Sequence, residues 1–117
     1  MNQRAEIETP RRILVFLPLP AAQVIVARLE EHGHFATAMQ SVADLVDALG
    51  SDACSLVVTM RADIDVVRNI KSVPVVNLEV FFHTVRLADE ELTASKKFDG
   101  RAFIERIRLL QEPRRVS

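Results

Sequence analysis

Hydrophobic positions in this chain come in short unbroken runs, separated by stretches whose apolar residues recur at helical spacing. The most compact run is Ser55-Leu56-Val57-Val58-Thr59-Met60, with turn-forming Gly50, Ser51 and Asp52 upstream and charged Arg61 and Asp63 downstream. A run without alternation reads as a strand buried on both faces, the central strand of a mostly parallel sheet. Ile13-Leu14-Val15-Phe16-Leu17 is a second such run. It stops at Pro18, and Pro20 reinforces the break, because proline has no ladder N–H. His34 to Met39 reads as a short strand in which Phe35, Thr37 and Met39 alternate with two alanines. Pro74 opens a further strand, Val75 to Leu78, with Glu79 at its carboxyl end.

Helices fill the intervals. Ala21 to His32 puts Ala22, Ile25, Val26 and Leu29 on one face, with Arg28 and Glu31 off it and Gly33 placed as a C-cap. Ser41 is a good N-cap, with Asp44 in place of the usual capping-box glutamate; the helix it starts buries Val42, Leu45, Val46 and Leu49 and ends at Gly50. Asp63 or Asp65 begins a shorter helix with Val66, Val67 and Ile70 as its apolar face. From Val80 to Glu91 the pattern weakens: Phe81, Phe82, Val85 and Leu87 fall at roughly helical spacing. The acidic Asp89-Glu90-Glu91 would then sit at the wrong end of a helix for the macrodipole, which fits a loop better. Leu92 to Lys96 reads as a short strand. Asp99 caps a last helix with Phe103, Ile104, Ile107 and Leu110 inward, Arg101, Glu105 and Arg108 outward, and Pro113 at its end. Strand and helix alternate about five times, which implies a parallel sheet with helices on both faces and right-handed crossovers.

At 117 residues the chain is expected to be one domain able to bury its own core. Residues 1–10 form a polar lead-in, 11–112 the folded domain and 113–117 a basic tail. Net charge is −1, so bulk electrostatics points neither to nucleic acid nor to an anionic membrane. The chain has no tyrosine or tryptophan for base stacking, and Glu105 and Glu112 interrupt its basic end. Its one cysteine, Cys54, precedes a buried strand without a basic activator and reads as a small hydrophobe in a reducing cytoplasm. The N-terminus lacks a signal peptide's apolar core, and the longest apolar runs are far short of a membrane span. Each of the three glycines is placed like a cap or turn, so there is no phosphate-binding glycine loop.

The layout resembles the receiver domain of bacterial two-component response regulators over residues 11 to 112. The likeness is sharpest at Ser95-Lys96-Lys97-Phe98-Asp99 with the Ile-Glu-Arg-Ile-Arg-Leu-Leu helix after it, similar to the family's Lys-Pro-Phe before its fifth helix. Arg12-Ile13-Leu14-Val15-Phe16, followed by a helix ending Leu29-Glu30-Glu31-His32-Gly33, is similar to the family's opening. The resemblance implies a flavodoxin-like three-layer α/β/α sandwich with a five-stranded parallel sheet of order 2-1-3-4-5. It also implies a phosphoacceptor pocket, and there the carry-over fails. The two metal-holding acids after the first strand fall on Leu17 and Pro18, the phosphorylated aspartate on Met60 (or Thr59) and the Thr or Ser after the fourth strand on Glu79. Only the lysine has a match, Lys96. Phosphoryl transfer needs an oxygen nucleophile and a cation held by hard oxygens, and none of these side chains fits those roles.

Glu79 and Lys96 are therefore expected to pair at the sheet's carboxyl edge, either mimicking one signalling state or as a plain surface salt bridge. Asp63 and Asp65 are helix caps or displaced metal ligands. His32 and His34 flank Gly33 as C-cap residues, and no zinc spacing is present. Phe81 and Phe82 are adjacent, so one of them could anchor an interface with Arg86, Arg101, Glu105 and Arg108 on the surface of the fourth helix, last strand and last helix; both could equally pack inward. The expectation is a phosphorylation-independent regulatory module, not an enzyme, without cofactor or metal, acting through a protein partner or as a homodimer. The alternatives are a metal-dependent phosphoacceptor using Asp63, Asp65 and Glu79, or a small-ligand sensor at the apolar edge around Met60.

Overall fold

The unbroken apolar runs become strands covered from both sides. In the computed structural model, which describes residues 11–50, 54–86 and 94–111 (backbone only at 84–86 and 94–96), β1 (Arg12–Phe16) and β3 (Cys54–Thr59) run side by side. Successive strand residues point to opposite faces. Thus Ile13, Val15, Leu56 and Val58 enter one core cluster, while Leu14 and Val57 enter a second on the other side. β2 (Phe35–Met39) pairs with β1 and β4 (Val75–Asn77) with β3, all parallel, in the order β2-β1-β3-β4. α1 (Leu19–Glu31) and α4 (Gly100–Gln111) supply Ala22, Ile25, Leu29, Phe103 and Ile107 to the first cluster. α2 (Val42–Leu49) and α3 (Ile64–Ile70) supply Leu45, Leu49 and Val67 to the second. The architecture is α/β, a parallel sheet with helices on both faces. Among the described residues no helix is long and apolar enough to cross a membrane.

Capping follows local chemistry. α1 starts at Leu19 rather than Ala21, with Pro18 as N-cap and Pro20 inside the first turn; proline is tolerated there because those N–H groups have no intrahelical acceptor. It ends on Gly33, whose φ of 87° lets the His34 amide reach the Leu29 carbonyl and the Gly33 amide the Glu30 carbonyl, the paired bonds of a Schellman motif. Ser41 Oγ accepts from the Asp44 amide at 3.1 Å, as its position predicts. Asp63 stands at the N-cap of α3 without a side-chain cap bond; a 3₁₀ turn, Arg61–Asp63, leads into the helix instead. Three expected core residues lie at the surface: Val42 and Val46 on α2 and Leu110 on α4 are exposed. Leu45 and Leu49 occupy the arc of α2 that meets the sheet, and the valines fall on its flank.

The expected five-stranded sheet is not what forms: among the described residues the parallel sheet has four strands, and two further strands pair with each other outside it. After β4 a 3₁₀ turn (Leu78–Phe81) leads directly into β5 (Phe82–Arg86), which pairs antiparallel with β6 (Ala94–Phe98). Residues 82–86, expected in a helix, are thus a strand, and the last strand stays outside the parallel sheet. The physical reason is connectivity. A parallel neighbour needs a crossover of a dozen residues or more, usually a helix, whereas consecutive strands can pair antiparallel directly. Phe82, Thr84 and Val85 favour extended backbone, and Phe82 faces Phe98 with ring centroids 5.1 Å apart, a cross-strand aromatic pair that sets the register. The acidic triplet, Leu92, Ser51, Asp52, the lead-in 1–10 and the tail 113–117 lie outside the described residues.

Candidate functional site

The carboxyl ends of the parallel strands are tied together by side chain to backbone hydrogen bonds. Fully buried Thr59, last residue of β3, donates its hydroxyl to the Phe16 carbonyl of β1 at 2.8 Å. Gln40, just after β2, donates to the Leu17 carbonyl at 3.1 Å and to the Met39 carbonyl at 3.2 Å. Asn77, ending β4, accepts from the Glu79 amide at 2.9 Å, and the Glu79 carboxylate accepts from the Arg61 amide, just past β3, at 2.8 Å. Glu79 therefore fastens the loop after β4 to the loop after β3.

At this edge Leu17 is buried, Pro18 is exposed at the start of α1 and Met60 is half-buried against the first core cluster. The Glu79 carboxylate accepts from the Arg61 amide; the side chain of Lys96, its expected partner, lies outside the described residues, and the Lys96 backbone lies in β6 opposite Thr84, outside the parallel sheet. Among the described residues no three His, Cys, Asp or Glu side chains are grouped to hold a metal ion. Chemically the edge offers a thioether, a buried leucine and a carboxylate already accepting an N–H, which suits rigidity better than nucleophilic attack.

The second candidate region surrounds the hairpin. Of the two adjacent aromatics Phe81 is the one that packs inward: it is buried and meets Phe103 edge to face at 5.5 Å. Phe82 is 39% exposed and rests on Phe98, which in turn contacts Phe103 at 5.6 Å. Arg101, Glu105 and Arg108 are all exposed on α4, with Arg108 bridged to Glu105 at 2.6 Å. That contact holds the Glu105 carboxyl below its ordinary range. Arg86 lies opposite Ala94 at the far end of β5.

Asp99 is the joint between hairpin and helix. Its amide donates to the Phe81 carbonyl at 2.7 Å, one carboxylate oxygen accepts from the Ala102 amide at 3.0 Å and the other meets His83 Nε2 at 3.3 Å. The Ala102 N–H first, and His83 after it, hold the Asp99 carboxyl below its ordinary value. Burial pushes the His34 imidazole down, helped by neighbouring His32. Burial likewise pushes the Cys54 thiol up, away from the nucleophilic thiolate form.

The Asp99 cap was legible in the sequence, but the His83 contact was not. Nor were Thr59, Gln40 and Asn77 recognised as ties. Asn77 carried a signal, a polar residue inside the apolar run Val75 to Leu78; Thr59 and Gln40 read as an ordinary strand and loop residue. Compared with protein-family models, with curated proteins and with solved structures, the chain has no match.

Proposed function

We propose that this chain is a receiver-like module of flavodoxin-like type that works without phosphorylation, by binding another protein or a second copy of itself. The observation that carries the reading is the bond from the Arg61 amide to the Glu79 carboxylate at 2.8 Å. In a receiver-like layout it joins the two loops that a phosphoryl group would bridge, with a negative charge already in place. Leu17, Pro18 and Met60 leave the surrounding positions without oxygen ligands or a nucleophile. What remains available is a surface. Phe82 stands partly exposed in a segment that takes no part in the parallel sheet, and Arg101, Glu105 and Arg108 are exposed on α4, the helix that follows that segment. Aromatic and arginine side chains are the usual anchors of protein interfaces. A reducing cytoplasm is the compartment that fits a single cysteine.

Sedimentation of the protein and of Phe82→Ala and Arg108→Glu tests the surface. Each variant is expected to weaken self-association, or capture of a protein partner, by about tenfold or more. Unchanged association in both removes the assignment. An amide NMR titration with Mg²⁺ and then beryllofluoride tests the chemistry: silence at Met60, Arg61 and Glu79 is expected, and saturable shifts there would favour a metal-dependent phosphoacceptor instead.

A further inference from the structure

We propose that the open cleft between the end of α1 and the start of α4 binds a small phosphate oxyanion, as free phosphate or as the phosphate of a monoester. The cleft has a volume of about 280 Å³ and is lined by Arg28, His32, Gly100, Arg101, Ile104 and Glu105. In a chain of net charge −1, two arginines and a histidine converge on it. Its one lining carboxylate, Glu105, is committed to Arg108 at 2.6 Å. Asp99, next to Gly100 in the chain, has oxygens that serve the Ala102 amide and His83, and it feels the Arg101 charge. No hydrogen bond or ion pair reaches the Arg28 guanidinium from the described residues. That leaves a planar fork of donors, the geometry that recognises phosphate bidentately, open to a ligand.

Gly100 makes the position possible. A Cβ there would stand 2.7 Å from Arg28 Nη1 and 3.1 Å from Cζ, so the guanidinium lies against the first residue of α4 in space that any side chain would take. His32 is tied to the same turn of α1 through Nδ1, 3.4 Å from the Arg28 carbonyl, which leaves Nε2 for another partner. Ile104 supplies an apolar wall for the organic part of an ester. The site is independent of the docking surface in its key residues, because neither Arg28 nor Gly100 belongs to that surface.

The test is an amide NMR titration with inorganic phosphate and with glycerol phosphate at matched ionic strength. Saturable shifts are expected at Arg28, His32, Gly100 and Arg101. Arg28→Gln should weaken binding about tenfold, and Arg28→Lys, which keeps the charge but loses the fork, by a smaller factor. Gly100→Ala should weaken it comparably while the fold persists, since only the flexible end of Arg28 must move. Equal affinity for both probes assigns the site to the phosphate group alone; tighter binding of the ester adds the Ile104 wall. Either supports the proposal. Shifts that do not saturate, that survive Arg28→Gln, or that sulfate and chloride reproduce equally would mean an adventitious ion only and would overturn it. Since the readout is ligand binding rather than association, failure here is distinct from failure of the docking surface.

Discussion

The four-stranded sheet and the hairpin beyond it hold together by different means. In the sheet, β1 and β3 have neighbours on both edges and helices on both faces, so Ile13, Val15, Leu56, Val57 and Val58 have no exposed surface at all. The hairpin has no second layer of its own among the described residues. It is attached through Phe81, Phe98 and Phe103 and through Asp99, which is bonded at once to Phe81, Ala102 and His83. Burial from both sides spreads the first region's stability over many side chains. The second depends on a few aromatic rings, and α4 belongs to both, since Phe103 and Ile107 share a cluster with Ile13, Leu56 and Val58.

The largest effect should come from the ring that joins the two. Phe103→Ala is expected to cost about 3–5 kcal/mol in urea unfolding, with one transition, because α4 sits in the sheet's own core. A second transition, with hairpin amides exchanging early while those of β1 and β3 stay protected, would show two separable units and break the comparison. Thr59→Val comes next. It keeps the shape but leaves the Phe16 carbonyl without its fully buried donor, at about 1–2 kcal/mol, measured in the same way.

Glu79→Ala should cost about 1 kcal/mol or less, since the carboxylate is exposed. Its clearer signature is faster hydrogen exchange of the Arg61 amide, which Glu79→Gln should largely prevent because the amide oxygen still accepts. The smallest effect concerns Asp99. Its folded-state pKa lies below the ordinary value of 3.8, so its contribution is present above that value and is lost as pH falls through it toward the folded value. Asp99→Asn keeps a cap acceptor without titrating and should flatten the acid limb of the stability curve at and below the ordinary carboxylate value. An unchanged limb would mean that the hairpin joint does not feel this charge.

Legibility followed the same division. The runs at Ile13 and Leu56 could be only buried strands, and Ser41, Gly33 and Asp99 marked helix ends correctly because capping is a matter of a few consecutive residues. Val42 and Val46 lie exposed at the edge of α2, since helical spacing gives the width of an apolar stripe but not how much of it a neighbour covers. Around Phe81 and Phe82 two periods competed: the aromatic spacing suited a helix as well as a strand. What decided for the strand was a partner elsewhere in the chain, Phe98.

The sequence by itself determined the local elements up to β4, their alternation, and the absence of hard oxygen donors at Leu17, Pro18 and Met60, because each of these depends on residue type and spacing alone. The tertiary structure decided which strands share a sheet, that Glu79 meets the Arg61 amide, that Phe81 is core while Phe82 is surface, and that Arg28 lies against Gly100. Those contacts join residues far apart in the chain, and their free energy depends on distances that no local pattern encodes.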